Sequence, residues 1–141
     1  MAKPYQHAIV SAALAAGTYA VTRRPLVAAA AFAAGTLIDV DHLVDYTVCK
    51  VTRTRVWLIL PLHGWEFATV GAVVAVRRPL LLPAVIAYLV HLSMDQVFNG
   101  LGRPFAYSIL WRALHRFHVP RLRVKVTPHS WVEDPPWKWF H

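Results

Sequence analysis

Acidic residues are scarce in this chain, 7 against 15 lysines and arginines in 141 residues, for a net charge of +8 with histidine neutral. Charge of either sign is scarce too: 16% of residues are charged, 57% are hydrophobic and the mean hydropathy is +0.41. A soluble globular domain carries about 25% charged residues, so the deficit argues against that class and for a lipid bilayer. Cysteine occurs once. Cys49 therefore forms no internal disulfide, the fold does not depend on an oxidising compartment, and the residue reads as packing. The length suits one domain with a single core.

What is present points the same way. A pI near 10.3 would suggest nucleic acid on a soluble chain. Here the basic residues gather at the ends of apolar segments (Arg23 and Arg24; Lys50, Arg53 and Arg55; Arg77 and Arg78), where membrane proteins meet headgroups. The expected partner is membrane lipid, not nucleic acid.

Tyr5 to Thr22 contains no Asp, Glu, Lys or Arg and as a helix would span about 27 Å, close to a hydrocarbon core. Lys3 ahead of it gives a signal-peptide look, but Thr18-Tyr19-Ala20 is a poor cleavage site and Arg23-Arg24-Pro25 follows at once. A second helix is expected from Pro25 to about Tyr46, ending in Asp39-Val40-Asp41-His42 with Asp45 beyond, then a loop over Thr47–Arg55. A third covers Val56–Val76, kinked at Pro61, with Gly64 and Gly71 allowing close packing. A fourth runs from Pro79 to about Phe98 and stops at Asn99-Gly100.

His91 and Asp95 lie four apart in that last apolar segment, so both face the same way about one turn apart. Burying an imidazole and a carboxylate together is costly unless something compensates them, and a divalent metal suits both. His63 and Glu66 share a face of the third helix, and Asp39 and His42 a face of the second. The Arg-Arg-Pro turns at 23–25 and 77–79 make two repeated hairpins. Counted from these turns, His7, His63, Asp41 and Asp95 all lie about 24 to 27 Å away, at one level.

The architecture expected is therefore all-α: an integral membrane four-helix bundle of two repeated helical hairpins over residues 1–100. Residues 101–141 form a basic, aromatic interfacial segment. In it Phe105–His118 reads as an interfacial helix, Arg121–Val126 as a short strand or extended arm, and the tail with Trp131, Trp137 and Trp139 as an irregular anchor. An inner (plasma) membrane of the bacterial type is expected, with the positive charges weakly favouring a cytoplasmic site.

Each candidate has a plainer reading. His63 or His91 alone would be an ordinary interhelical histidine, though an intramembrane carboxylate such as Asp95 is usually functional. His7 and Glu66 could equally be solvated at the headgroup level. Asp45 reads as a helix-end surface residue, His42 as a group steadying an aspartate, and His115, His118, His129 and His141 as interfacial.

His7, Asp39-Val40-Asp41-His42, Leu62-His63-Gly64-Trp65-Glu66 and His91 with Asp95 together resemble small membrane-bound proteins identified as metal-dependent hydrolases. That family is distantly similar to the all-helical zinc-dependent phospholipase C enzymes. The resemblance covers roughly residues 5 to 100. Ile38 stands where the family commonly has proline, and one histidine, His63, with Glu66, where it commonly has two. The resemblance implies one or two metal ions on His7, Asp39, Asp41, His63, His91 and Asp95, with a shared aspartate bridging if two bind. Mixed histidine and carboxylate ligands fit Zn²⁺ best, with Mn²⁺ and Fe²⁺ also suited. The activity implied is attack of a metal-acidified water on an ester or phosphoester, of a lipid or other membrane-proximal substrate, with Glu66 as general base. Competing readings are a proton or metal-ion carrier, a haem-binding bundle with His63 and His91 as axial ligands, and a structural protein with an inert metal site.

Overall fold

The computed structural model describes residues 3–54, 56–99, 103 and 105–124. Prolines set its hairpins. Pro4 opens α1 (Pro4–Thr22) and Pro25 opens α2 (Pro25–Thr36), where a fixed helical φ helps and the missing N–H would go unpaired anyway. Between them Arg23 adopts a left-handed conformation (φ 54°) and donates its N–H to the Tyr19 carbonyl at 2.8 Å, which ends α1 and turns the chain back within two residues. The second Arg-Arg-Pro ends α4 (Trp65–Arg77) and begins a 3₁₀ turn, Pro79–Leu81, that leads into α5 (Leu82–Phe98).

The hairpins meet because α2 packs on both α1 and α5, while α4 packs on α5. Small residues make the seams: a Cβ on Gly35 would lie 2.3 Å from Ser11 Oγ, and Ala31 and Ala87 are buried. The described residues are mostly helical and contain no strand beyond one isolated antiparallel bridge, Trp57 to His118.

Three stretches depart from the sequence-based reading. After α2 the chain tightens into a 3₁₀ turn, Leu37–Asp41, and then forms α3 (His42–Thr52), so Thr47–Thr52 is helical and not loop. Residues 56–64 are irregular, and the helix expected from Val56 starts only at Trp65. Pro61 removes an N–H and disfavours helical geometry at the residue before it; Leu60 sits at φ 37°. Side chains take over this loop's backbone groups. Phe105–His118 is likewise not one helix: α6 (Ile109–Leu114) is short, Arg116 and Phe117 both have φ 55°, and α7 (Val119–Leu122) occupies the start of the expected strand. His129, Trp131, Trp137, Trp139 and His141 lie outside the described residues.

The segment after residue 100 supplies part of the core. Ala106, Tyr107 and Leu122 pack with Cys49, Leu58 and Leu60, and Leu58 and Val119 exchange backbone hydrogen bonds with Phe117 and Val56. Elsewhere the polarity is inverted. His7, Ser11, Asp41, Asp45, His63, His91, Asp95 and Arg112 are buried, while Ile9, Val21, Leu26, Val70, Val73, Val76 and Val97 are each more than 60% exposed. Two stretches, Pro25–Thr52 and Pro79–Phe98, are long and apolar enough to cross a membrane. Among the described residues these are the two of the four expected spans that meet that measure; α4, with 13 residues, reaches only about 20 Å at 1.5 Å per residue.

Candidate metal centre

The tight turn after α2 creates half of the site. In 3₁₀ geometry residues three apart eclipse one another, and Asp39 is thereby brought beside His42, with Oδ1 3.5 Å from His42 Nε2. Opposite stand His91 and Asp95, one turn apart in α5. His7 comes from the end of the first turn of α1, and His63 from the irregular loop before α4.

These side chains converge through a small set of atoms. Asp95 Oδ1 lies 3.2 Å from His7 Nε2, and Asp95 Oδ2 lies 3.0 Å from His63 Nε2 and 3.3 Å from His91 Nε2. Asp39 Oδ1 is 3.4 Å from His91 Nε2 and 3.7 Å from His63 Nε2, and the two Nε2 atoms of His63 and His91 are 3.1 Å apart. Donors held about 2.1 Å from one ion are separated by about 3.0 Å in an octahedron and about 3.4 Å in a tetrahedron. The observed separations are of that size.

The outer hydrogen bonds determine what the inner atoms are. His91 Nδ1 lies 2.9 Å from the Gly35 carbonyl, which can only accept, so Nδ1 carries the hydrogen. His63 Nδ1 lies 2.9 to 3.0 Å from the Asp41 carboxylate and carries one likewise. In the neutral rings both Nε2 atoms then present bare lone pairs to each other and to two carboxylates. Protonating both rings would answer the carboxylates but set two like-charged N–H groups 3.1 Å apart in a buried place. A divalent cation held by these atoms would resolve both conflicts.

Two overlapping ligand groups satisfy this geometry. His7, Asp39, His91 and Asp95 form one, Asp39, His42 and His63 the other, each with its candidate atoms within 4.8 Å of one another. Five of the six residues expected as ligands therefore come together. Asp41 stands behind His63, taking the His63 ring N–H and the backbone N–H groups of Leu62 (2.7 Å) and His63 (3.2 Å). His42, expected to steady an aspartate, stands among the ligand groups itself.

Glu66 lies elsewhere. Its carboxylate caps α6, accepting from Ser108 Oγ at 2.6 Å, Ile109 N at 3.0 Å and Leu110 N at 3.1 Å. Burial raises its pKa, but these hydrogen bonds outweigh that and hold it below the ordinary glutamate value. Asp45, expected at the surface, is fully buried and accepts the backbone N–H groups of Ile59 and Leu60.

Arg112 carries no signal in the sequence as a site residue, yet it is also fully buried. Its guanidinium donates to the carbonyls of Ile59, Leu60 and His63. Burial pulls its pKa below the usual arginine value, opposed by the charges of Asp45 and Asp41. Tyr88 Oη completes the clamp, lying 2.7 Å from the Leu62 carbonyl and accepting from Gly64 N at 3.0 Å. The loop that bears His63 is thus held by side chains from α3, α5, α6 and the 3₁₀ turn.

The centre is closed on most sides. Side chains of His7, His63, His91 and Asp95 are at most 3% exposed, whereas Asp39 and His42 are 16% and 14% exposed. Comparison with known protein families, characterised proteins and solved structures finds no match.

Proposed function

We propose that this chain is an integral membrane protein of the metal-dependent hydrolase type, binding one or two divalent ions, Zn²⁺ best suited, and cleaving an ester or phosphoester at the membrane surface. The carrying observation is the convergence of the His63 and His91 lone pairs on Asp39 and Asp95, with both tautomers set from outside by Asp41 and the Gly35 carbonyl. The apolar exterior and the stretches Pro25–Thr52 and Pro79–Phe98 support the membrane location. The motif resemblance supports the reaction class.

Bound ions would supply Lewis acidity, lowering the pKa of a coordinated water towards about 7 and stabilising negative charge developing on the substrate. The chain's residues do the rest. His7, His63, His91 and Asp95 form a closed floor that excludes bulk water. Substrate meets the open edge at Asp39 and His42. Asp39 makes its cluster contacts through Oδ1, and we assign the proton-accepting role to its other oxygen, because the Glu66 carboxylate is taken up by the start of α6.

A carrier also opens to one side at a time, so the two readings are separated by activity. The test is hydrolysis by zinc-loaded, detergent-purified protein of a soluble phosphodiester and of phosphatidylglycerol. Turnover that falls at least about a hundredfold in Asp39→Asn, the usual size of a lost general base, is expected. Ion flux across vesicles without hydrolysis would instead establish the carrier.

A further inference from the structure

Helix α6 presents more than one functional face. Arg112 reaches the His63 loop, while Trp111 and His115, four residues apart, share a different face and border a cavity of about 480 Å³. Arg103, Arg121 and Arg123 line the same cavity, with Phe105 as a further apolar wall. Among the described residues no carboxylate pairs with these three arginines, and the five acidic side chains described, Asp39, Asp41, Asp45, Glu66 and Asp95, are committed to the metal centre or to the loop and cap around it.

The cavity is braced. Gln96 Nε2 donates to the Arg103 carbonyl at 3.1 Å, which ties its rim to α5. His115 Nδ1 donates to the Trp111 carbonyl at 2.9 Å, and the Trp111 and His115 rings lie 4.2 Å apart, so the imidazole is held in place. Phe105 and Trp111 face each other at 6.1 Å.

Three exposed arginines line one cavity; an anion held among them would offset their like charge, and the guanidinium fork suits phosphate oxygens best. Aromatic walls beside such cations match a ligand that is charged at one end and apolar at the other. We infer that this cavity binds the phosphate headgroup of an anionic membrane lipid, at a site separate from the metal centre and linked to it through α6. The inference does not depend on metal chemistry.

Native mass spectrometry of the detergent-purified chain, with phosphatidylglycerol, phosphatidylcholine or inorganic phosphate added, tests it. The parent is expected to retain phosphatidylglycerol over phosphatidylcholine, and inorganic phosphate at equal concentration is expected not to displace it. In Arg121→Gln/Arg123→Gln the preference should fall about twenty-five-fold, at roughly fivefold per arginine. It should be unchanged in Arg77→Gln/Arg78→Gln, at the turn between α4 and α5. Trp111→Ala, which alters no charge, should also weaken retention. Absence of preference in the parent, equal loss in both arginine pairs, or displacement by phosphate alone would overturn the lipid site; the last would mark a free-anion site. Circular dichroism shows whether each variant is folded, and Trp111→Ala decides the matter if the arginine pair does not fold.

Discussion

Asp41 determines which nitrogen of His63 faces the cluster. Its carboxylate accepts the Nδ1 hydrogen and two backbone N–H groups, so Asp41→Asn places an amide that can donate where the ring also donates. Outer partners of metal-binding histidines typically contribute 10- to 100-fold in affinity. Asp41→Asn is therefore expected to weaken zinc binding by about that factor at unchanged stoichiometry, read by competition with a chromophoric chelator. Unchanged affinity would remove Asp41 from this role. Arg112 acts on the same loop from the other side. Arg112→Ala leaves the carbonyls of Ile59, Leu60 and His63 without this donor, at about 1–3 kcal/mol for a buried group left unsatisfied. The expected outcome is a clear drop in thermal midpoint, with part recovered by Arg112→Lys, which keeps the charge but not the three-way donation.

At the scale of elements, the hairpins were legible and the loops between them were not. Arg23-Arg24-Pro25 and Arg77-Arg78-Pro79 announce their turns because proline and a left-handed cap act locally. His91 and Asp95 were legible for the same reason, since four-residue spacing in an apolar helix fixes a shared face. The 3₁₀ turn at Leu37–Asp41 was not: nothing in the local sequence breaks a helix there, and the tightening depends on tertiary contacts that send Asp39 and His42 into the cluster and Asp41 behind it. Residues 56–64 follow the same logic, because their backbone partners, Asp45, Asp41 and Arg112, come from up to 53 positions away. Gly35 joins the two kinds of information. Its missing side chain admits Ser11, and its carbonyl orients His91. Gly35→Ala is expected to cost about 1–3 kcal/mol by overpacking, measured by thermal unfolding, with part restored by Ser11→Gly in the double variant. An unchanged midpoint would mean that α1 and α2 do not approach so closely.

For the molecule as a whole, polar groups are gathered inside and large apolar ones displayed outside. A water-soluble protein distributes them the other way, and a buried group of histidines and carboxylates is stable only when its charges are balanced. In the proposed reading a bilayer would answer the exterior and a divalent cation the interior. The clamp around His63 and the cationic cavity beside α6 extend the same division from the helices into the segment beyond residue 100. Elemental analysis of detergent-purified protein, parent beside His91→Ala and Asp95→Asn, tests this directly. One or two equivalents of zinc or manganese per parent chain, lost in both variants while circular dichroism is retained, is the expected result. No metal above background in the parent, even after reloading, would contradict the metal centre and with it the proposed hydrolase.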